Sequence, residues 1–347
     1  MALGGSDPVT LAIGACWFAT TAFYSLPANN IFLRDLKSPL GHNLTRFVGA
    51  SFFCLLLAAF TPWNKTNPRQ IIRCAFPGVC MVLMNVSNSV ALQTVGVTLT
   101  YVVKSTIPCW TCLYCFIFLK QRFSVPIILA LLTSCVGVAL ASAGELLFSW
   151  SGFFAALLSC VSTVAFNLSS KSIMQTHNMT SLEAFSGSLM NAAVVASVLY
   201  AGGLEVALGL RTSDVYATTL AATQEGDYWL SIVLGMTATS YFLEYSFNFA
   251  FTPRVSPVTL GISDIVRRIL TIVTNACVYG YPVSLLNASG IACSLGGAVA
   301  YAVLLAREQK PAAKAGSPST RKSSSVRSTR RSSSRGKSPG KAAGKKQ

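Results

Sequence analysis

Apolar residues fall in ten long runs, centred near Trp17, Cys54, Val82, Pro108, Leu132, Cys160, Val195, Tyr241, Ile269 and Leu295. At about 1.5 Å of rise per residue, each is long enough to cross a hydrocarbon core roughly 30 Å thick. The third and fourth runs, and the ninth and tenth, are nearly continuous. Tight hairpins such as VYGYPVS (Val278–Ser284) are expected between them. The pattern predicts an all-α, polytopic membrane protein of ten transmembrane helices.

Composition agrees. Hydrophobic residues make up 52% of the 347 positions and charged residues only 11%, against nearer 25% charged in soluble domains. The opening MALGGSDPVT is short and nearly uncharged, so no signal or transit peptide is expected there. The formal charge of +16 belongs mostly to the end of the chain. Residues 307–347 hold 13 of the 27 Lys and Arg and a single acid, leaving about +4 on the body. This tail, with RKSSSVRSTRRSSSRGKSPGKAAGKK at its heart, is expected to be disordered and cytosolic, and to touch anionic lipid. Phosphorylation of its serines would weaken that attraction. Nucleic acid is not an expected partner beside ten spans.

Loop charges set the orientation. Loops after even-numbered runs contain Lys65, Arg69, Arg73, Lys120, Arg122, Lys171 and Arg254. Loops after odd-numbered runs contain only Arg34, Lys37, Arg46 and Arg211. The positive-inside rule places the even loops and both termini in the cytosol. The net-acidic stretch around Glu205–Asp227 then faces the lumen or exterior, as does a glycosylation sequon at Asn43-Leu44-Thr45, whose place against the second run argues against its use.

An internal echo relates SCVGVALA (Ser134–Ala141) to CSLGGAVA (Cys293–Ala300). It suggests two five-helix repeats, residues 8–145 and 146–306, within a transporter domain of residues 1–306. An odd number of spans per repeat inverts the second copy.

Few ionisable residues stand inside the runs: Lys104, Glu244, Asp264, Arg267 and Arg268. VTLTYVVKSTIPCWTCLYCFIFL holds Lys104 as its one charge. A mid-span lysine costs roughly 2.5–3.5 kcal/mol on insertion scales, so such residues usually face a cavity or a pathway. Asp264 precedes the two arginines by three and four residues and can reach either on one helix face. A buried ion network that merely holds helices together is the plainer reading. The functional one is an anion site, because arginine forks match phosphate oxygens and lysine adds a mobile point charge. Cys109, Cys112 and Cys115 form CxxCxxC, but on one continuous apolar helix they read as small residues at a helix contact. With two histidines in the chain, His42 and His177, neither a metal site nor a catalytic site is expected.

Several stretches resemble the triose-phosphate translocator / nucleotide-sugar transporter family of the drug/metabolite transporter superfamily. They are VTLTYVVKSTIP (Val97–Pro108), GVALASAGELLFSWSGFFAALLS (Gly137–Ser159), SSKSIM (Ser169–Met174), RVSPVTLGISDIVRRILTIV (Arg254–Val273) and the tenth run, SLLNASGIACSLGGAVAYAVL (Ser284–Leu304). The resemblance covers residues 8–306. It implies ten helices in two inverted five-helix repeats, and an exchanger of phosphate-bearing solutes or of a nucleotide sugar for a nucleotide monophosphate. It also implies that phosphate is held by Lys104 and by Arg267-Arg268, the latter matching a Lys-Arg pair. Asn85 and Asn88 fall where the family has a histidine and a Thr/Ser, and Glu244 where it has a tyrosine. Asp264 replaces an asparagine, and Ala28-Asn29-Asn30 stands for Asn-Lys-Lys. Tyr101 completes the expected cavity.

The leading expectation is an antiporter of a sugar phosphate or nucleotide sugar, working by alternating access in a Golgi or ER membrane rather than the plastid envelope. An anion channel or facilitator and a membrane scaffold with a basic tail are the alternatives. An enzyme is disfavoured, no cofactor is implied, and the oligomeric state stays open.

Overall fold

The computed structural model describes residues 7–60, 68–120, 122–143, 148–210, 214–251, 254–255, 257–279 and 284–315. Regular structure within them is entirely helical. The first apolar run is α1 (Pro8–Ala19), a π-helical turn (Thr20–Ser25) and α2 (Leu26–Asp35). There follow α3 (Pro39–Phe60), the short α4 (Pro68–Arg73), α5 (Ala75–Lys104), α6 (Ile107–Leu119), α7 (Val125–Ala143) and α8 (Trp150–His177). The remainder comprises α9 (Ser181–Ala201), the short α10 (Leu204–Ala207), α11 (Val215–Gln224), α12 (Trp229–Phe251), α13 (Pro257–Tyr279) and α14 (Leu285–Ala315).

Each of the ten expected centres lies on a helix. Among the described residues, seven stretches are long and apolar enough to cross a membrane, and the runs around Pro108, Tyr241 and Ile269 are not among them. The reason is chemical. The fourth run is broken, leaving α6 only 13 residues. The 23-residue α12 contains Glu244, and the 23-residue α13 contains Asp264, Arg267 and Arg268. α6 is apolar but short, and the two longer helices left out are the ones that carry Glu244 and the α13 charges.

The junction between the third and fourth runs is Gly96. Its φ of 75° and ψ of 179° join two helical pieces within α5. That backbone region is costly for any residue with a Cβ. Residues 280–283 of the expected hairpin at Val278–Ser284 and the basic tail beyond Ala315 lie outside the described residues. The chain divides into two units, Met1–Glu308 and Gln309–Gln347. Of the second, residues 309–315 are described, as helix.

Between membrane helices, apolar burial gains little over contact with lipid, so close packing and internal hydrogen bonds hold the bundle. Phe47, Met81, Leu189 and Tyr241 pack α3, α5, α9 and α12 together. Leu99, Val102, Val103, Cys160 and Ile272 join α5, α8 and α13. The two echo segments meet each other. A Cβ on Gly137 of α7 would fall 2.2 Å from the backbone nitrogen of Ser294 on α14, and one on Gly297 would fall 2.6 Å from that of Ser134. Small residues on both segments let the two backbones touch. Ser105, Ser134 and Ser294 cluster their hydroxyls at this crossing.

Two polar residues from the stretches read as lumenal are buried. Asn43 is fully buried, with its amide donating to the Pro39 carbonyl at 2.8 Å and to Ser89 Oγ at 2.8 Å, so the sequon asparagine is a packing residue. Glu205, read as part of a lumen-facing acidic stretch, is 2% exposed. It accepts from the Leu40 backbone at 2.7 Å and from Ser38 Oγ at 2.6 Å, capping the start of α3. Carboxylates suit helix N-termini because the first backbone N–H groups lack partners there.

Candidate functional site

A proline builds the heart of the site. Pro108 has no N–H, so the carbonyl four residues earlier, that of Lys104, loses its helical partner. The helix breaks at Ser105–Thr106, and those two hydroxyls turn back to the carbonyls of Val102 (2.6 Å) and Val103 (2.7 Å). The orphaned Lys104 carbonyl accepts instead from Nη1 of Arg268 on α13. One break therefore ties α5 to α13 and sets Lys104 beside the arginine pair. Pro27 acts comparably in the first run. It stands near the start of α2, just after the π-turn, where Thr21 and Ser25 face inward at helical spacing.

The α13 charges compensate one another. Asp264 Oδ1 accepts from Arg267 Nη2 at 2.7 Å and Nε at 3.1 Å, while its Oδ2 accepts from Arg268 Nη2 at 2.5 Å. Glu244 of α12 reaches Arg267 Nη1 at 3.5 Å and accepts from Ser25 Oγ at 2.6 Å. The side chains of Arg267, Arg268 and Glu244 are 16%, 9% and 13% exposed. Removing one member of such a buried pair typically costs about 3–5 kcal/mol, since the other charge is stranded.

These groups surround a cavity of about 150 Å³. Lys104, Arg267, Arg268, Asn85, Asn88, Tyr101 and Glu244 all line it, and Asp264 stands behind as the bridge between the arginines. Every predicted site residue is thus gathered in one place. Among the described residues Lys104 has no carboxylate partner. The nearest π-surface is Tyr101, whose ring centre is 6.0 Å from Nζ. Asn88 is buried with Oδ1 unpartnered.

The structure adds a residue that the sequence reading placed in a loop. Arg46 lies inside α3, is 5% exposed and lines the same cavity. Its guanidinium carbon stands 4.2 Å from the centre of the Tyr241 ring, and its Nε is buried without a hydrogen-bond partner. The expected balance of three cations and two acids is therefore four and two, and the cavity carries +2. Thr21, Ser25 and Asn29 also join the lining. Their four-residue spacing, and that of His42 and Arg46, is a signal a helical reading could have used. His42 is fully buried, bonding Asn29 at 2.9 Å and Ser89 at 3.1 Å through its two ring nitrogens. The three α6 cysteines are free thiols. Cys109 touches Cys135 of α7 at 3.6 Å, and Cys112 lies 3.6 Å from the Tyr301 hydroxyl of α14, which are helix contacts.

Helices of membrane-crossing length around a polar, charge-rich interior cavity define a multi-pass membrane transporter. The chain belongs to the Triose-phosphate Transporter family, which it matches over residues 9–302. It is 24% identical over 302 residues to the chloroplastic phosphoenolpyruvate/phosphate translocator 1 of Arabidopsis thaliana, covering 86% of this chain and 72% of the relative. It is also 24% identical over 302 residues to the non-green plastid triose phosphate/phosphate translocator of Brassica oleracea var. botrytis, covering 86% and 73%. A third relative, the chloroplastic glucose-6-phosphate/phosphate translocator 2 of Arabidopsis thaliana, is 26% identical over 230 residues, 65% of this chain and 57% of its own. One crystal structure superposes with a TM-score of 0.53 at 16% identity, over 88% of this chain and 100% of its own, which speaks for a shared fold.

Proposed function

We infer that this chain is an antiporter that exchanges a phosphate-bearing organic solute for phosphate or another phosphorylated solute. The observation that carries it is Lys104: a cation in a membrane-embedded cavity with no acidic partner among the described residues, set beside an arginine pair by the break at Pro108. Lys104, Arg267 and Arg268 hold the phosphoryl group, and Asn85, Asn88, Tyr101, Glu244 and Asp264 shape the rest of the cavity. The relatives named above, which are translocators of phosphoenolpyruvate, triose phosphate and glucose 6-phosphate, support the same chemistry. A cavity of about 150 Å³ lies below the range usual for drug-sized ligands and favours a small organic phosphate over a nucleotide sugar.

In this reading the ten helices at the predicted centres all cross the membrane, as inverted repeats at residues 8–145 and 146–306 with cytosolic termini and a basic tail. The direct contact of the two echo segments through Gly137 and Gly297 supports such a pairing. Alternating access is then a rocking of one repeat against the other around the cavity. The relatives are plastid proteins by name and lend the endomembrane expectation no support; imaging the tagged chain against Golgi and plastid markers decides the compartment. The transport reading is tested by counterflow into proteoliposomes loaded with inorganic phosphate, sugar phosphates or nucleotide monophosphates. Uptake that needs no substrate on the opposite side would replace the exchanger with a facilitator.

A further inference from the structure

We propose that Arg46 is a substrate-binding cation, which makes the cavity the electrostatic complement of a phosphate dianion. The inference deepens the transport reading and rests on it for the choice of ligand. The cavity holds four cations and two carboxylates. Both carboxylates are engaged on one side, Asp264 with Arg267 and Arg268, and Glu244 with Arg267. Lys104 and Arg46 have no ion pair among the described residues. A buried charge in a membrane span is expensive unless it is matched. A phosphate monoester carries about −1.5 to −2 at neutral pH and offers three acceptor oxygens. It therefore cancels the +2 that the protein leaves uncompensated. Arg46 also lines the cavity, and its guanidinium carbon stands 4.2 Å from the centre of the Tyr241 ring, a cation–π contact that supports the charge without taking up an N–H donor. The buried Nε still lacks a partner. Arg46 on α3 and the arginine pair on α13 belong to different proposed repeats, so a phosphate between them would bridge the two.

The test uses inorganic phosphate as the probe, in two readouts. The first is phosphate-dependent thermal stabilisation of the full chain in detergent. The second is phosphate/phosphate exchange in proteoliposomes. Arg46→Gln is expected to weaken phosphate binding and raise the KM for exchange about tenfold or more, with the ligand-free melting temperature near wild type. Arg46→Lys should recover part of the loss. Phosphate binding within twofold of wild type in Arg46→Gln overturns the proposal. Should Arg46→Gln fail to fold, Arg46→Lys decides alone: it keeps the charge and loses the planar fork, so unchanged affinity overturns the proposal and a severalfold loss supports it. If phosphate stabilises wild type and not the variants while no exchange occurs, the site stands and the antiport reading falls. If phosphate does not bind wild type, both fall.

Discussion

The two sides of the cavity treat positive charge differently. On α13, Arg267 and Arg268 share Asp264, and Arg267 leans on Glu244, so that side is a closed electrostatic unit. On α3 and α5, Arg46 and Lys104 have no ion pair among the described residues and stand near the rings of Tyr241 and Tyr101. A compensated cluster holds its shape whether or not ligand is bound. An uncompensated pair raises the energy of the empty cavity and gains most when an anion arrives. The difference separates, within one set of cavity-lining basic residues, the cations that a carboxylate already matches from those that only a ligand can match.

The comparison predicts that Lys104→Ala has the largest effect on transport. Exchange of phosphate-bearing solutes should fall about a hundredfold or more, since hydrogen bonds to charged groups are worth roughly 1.5–3 kcal/mol each and Lys104 also supplies charge. Its melting temperature in detergent should stay near wild type because no protein partner is stranded. Uptake close to wild type would remove Lys104 from the site.

Asp264→Asn should do the reverse. Taking the shared carboxylate from the two arginines costs about 3–5 kcal/mol, read as a large drop in melting temperature and yield. A variant as stable as wild type would show that the α13 cluster is not self-supporting.

Arg268→Lys should have a smaller effect, about five- to tenfold on phosphate affinity. A lysine has no fork with which to span Asp264 and the Lys104 carbonyl together. Arg267→Lys should behave similarly through its two bonds to Asp264. Normal binding by both variants would defeat the fork argument.

The smallest effect is expected from Glu244→Tyr. Loss of the 3.5 Å contact to Arg267 makes the cavity more positive, and small phosphates should be preferred by a further two- to fivefold. Competition between glycerol phosphate and hexose phosphate measures this. An unchanged preference would make Glu244 a structural partner of Ser25 and Arg267 alone.

Much of the helical framework was legible because hydropathy runs are local and membrane-length. All ten centres fell on helices, and the mid-run charges identified four of the five charged residues that line the cavity. The two misreadings share a cause. Arg46 and Glu205 sit near run ends, where a charge in sequence looks like an interfacial anchor. Arg46 becomes a cavity residue only because Tyr241, nearly two hundred positions later, packs against it. Glu205 becomes a cap only because Ser38 and Leu40 come to it.

The sequence by itself determined the helices, their breaks and the supply of charge. Pro108 frees the Lys104 carbonyl in any fold that keeps that helix, because a missing N–H is a covalent fact. Asp264 reaches both arginines because three- and four-residue spacings share a helix face. Which cations are left without a carboxylate was decided only by the tertiary structure. Pairing depends on distances of a few ångströms between side chains on helices far apart in the chain, and no linear pattern contains those distances.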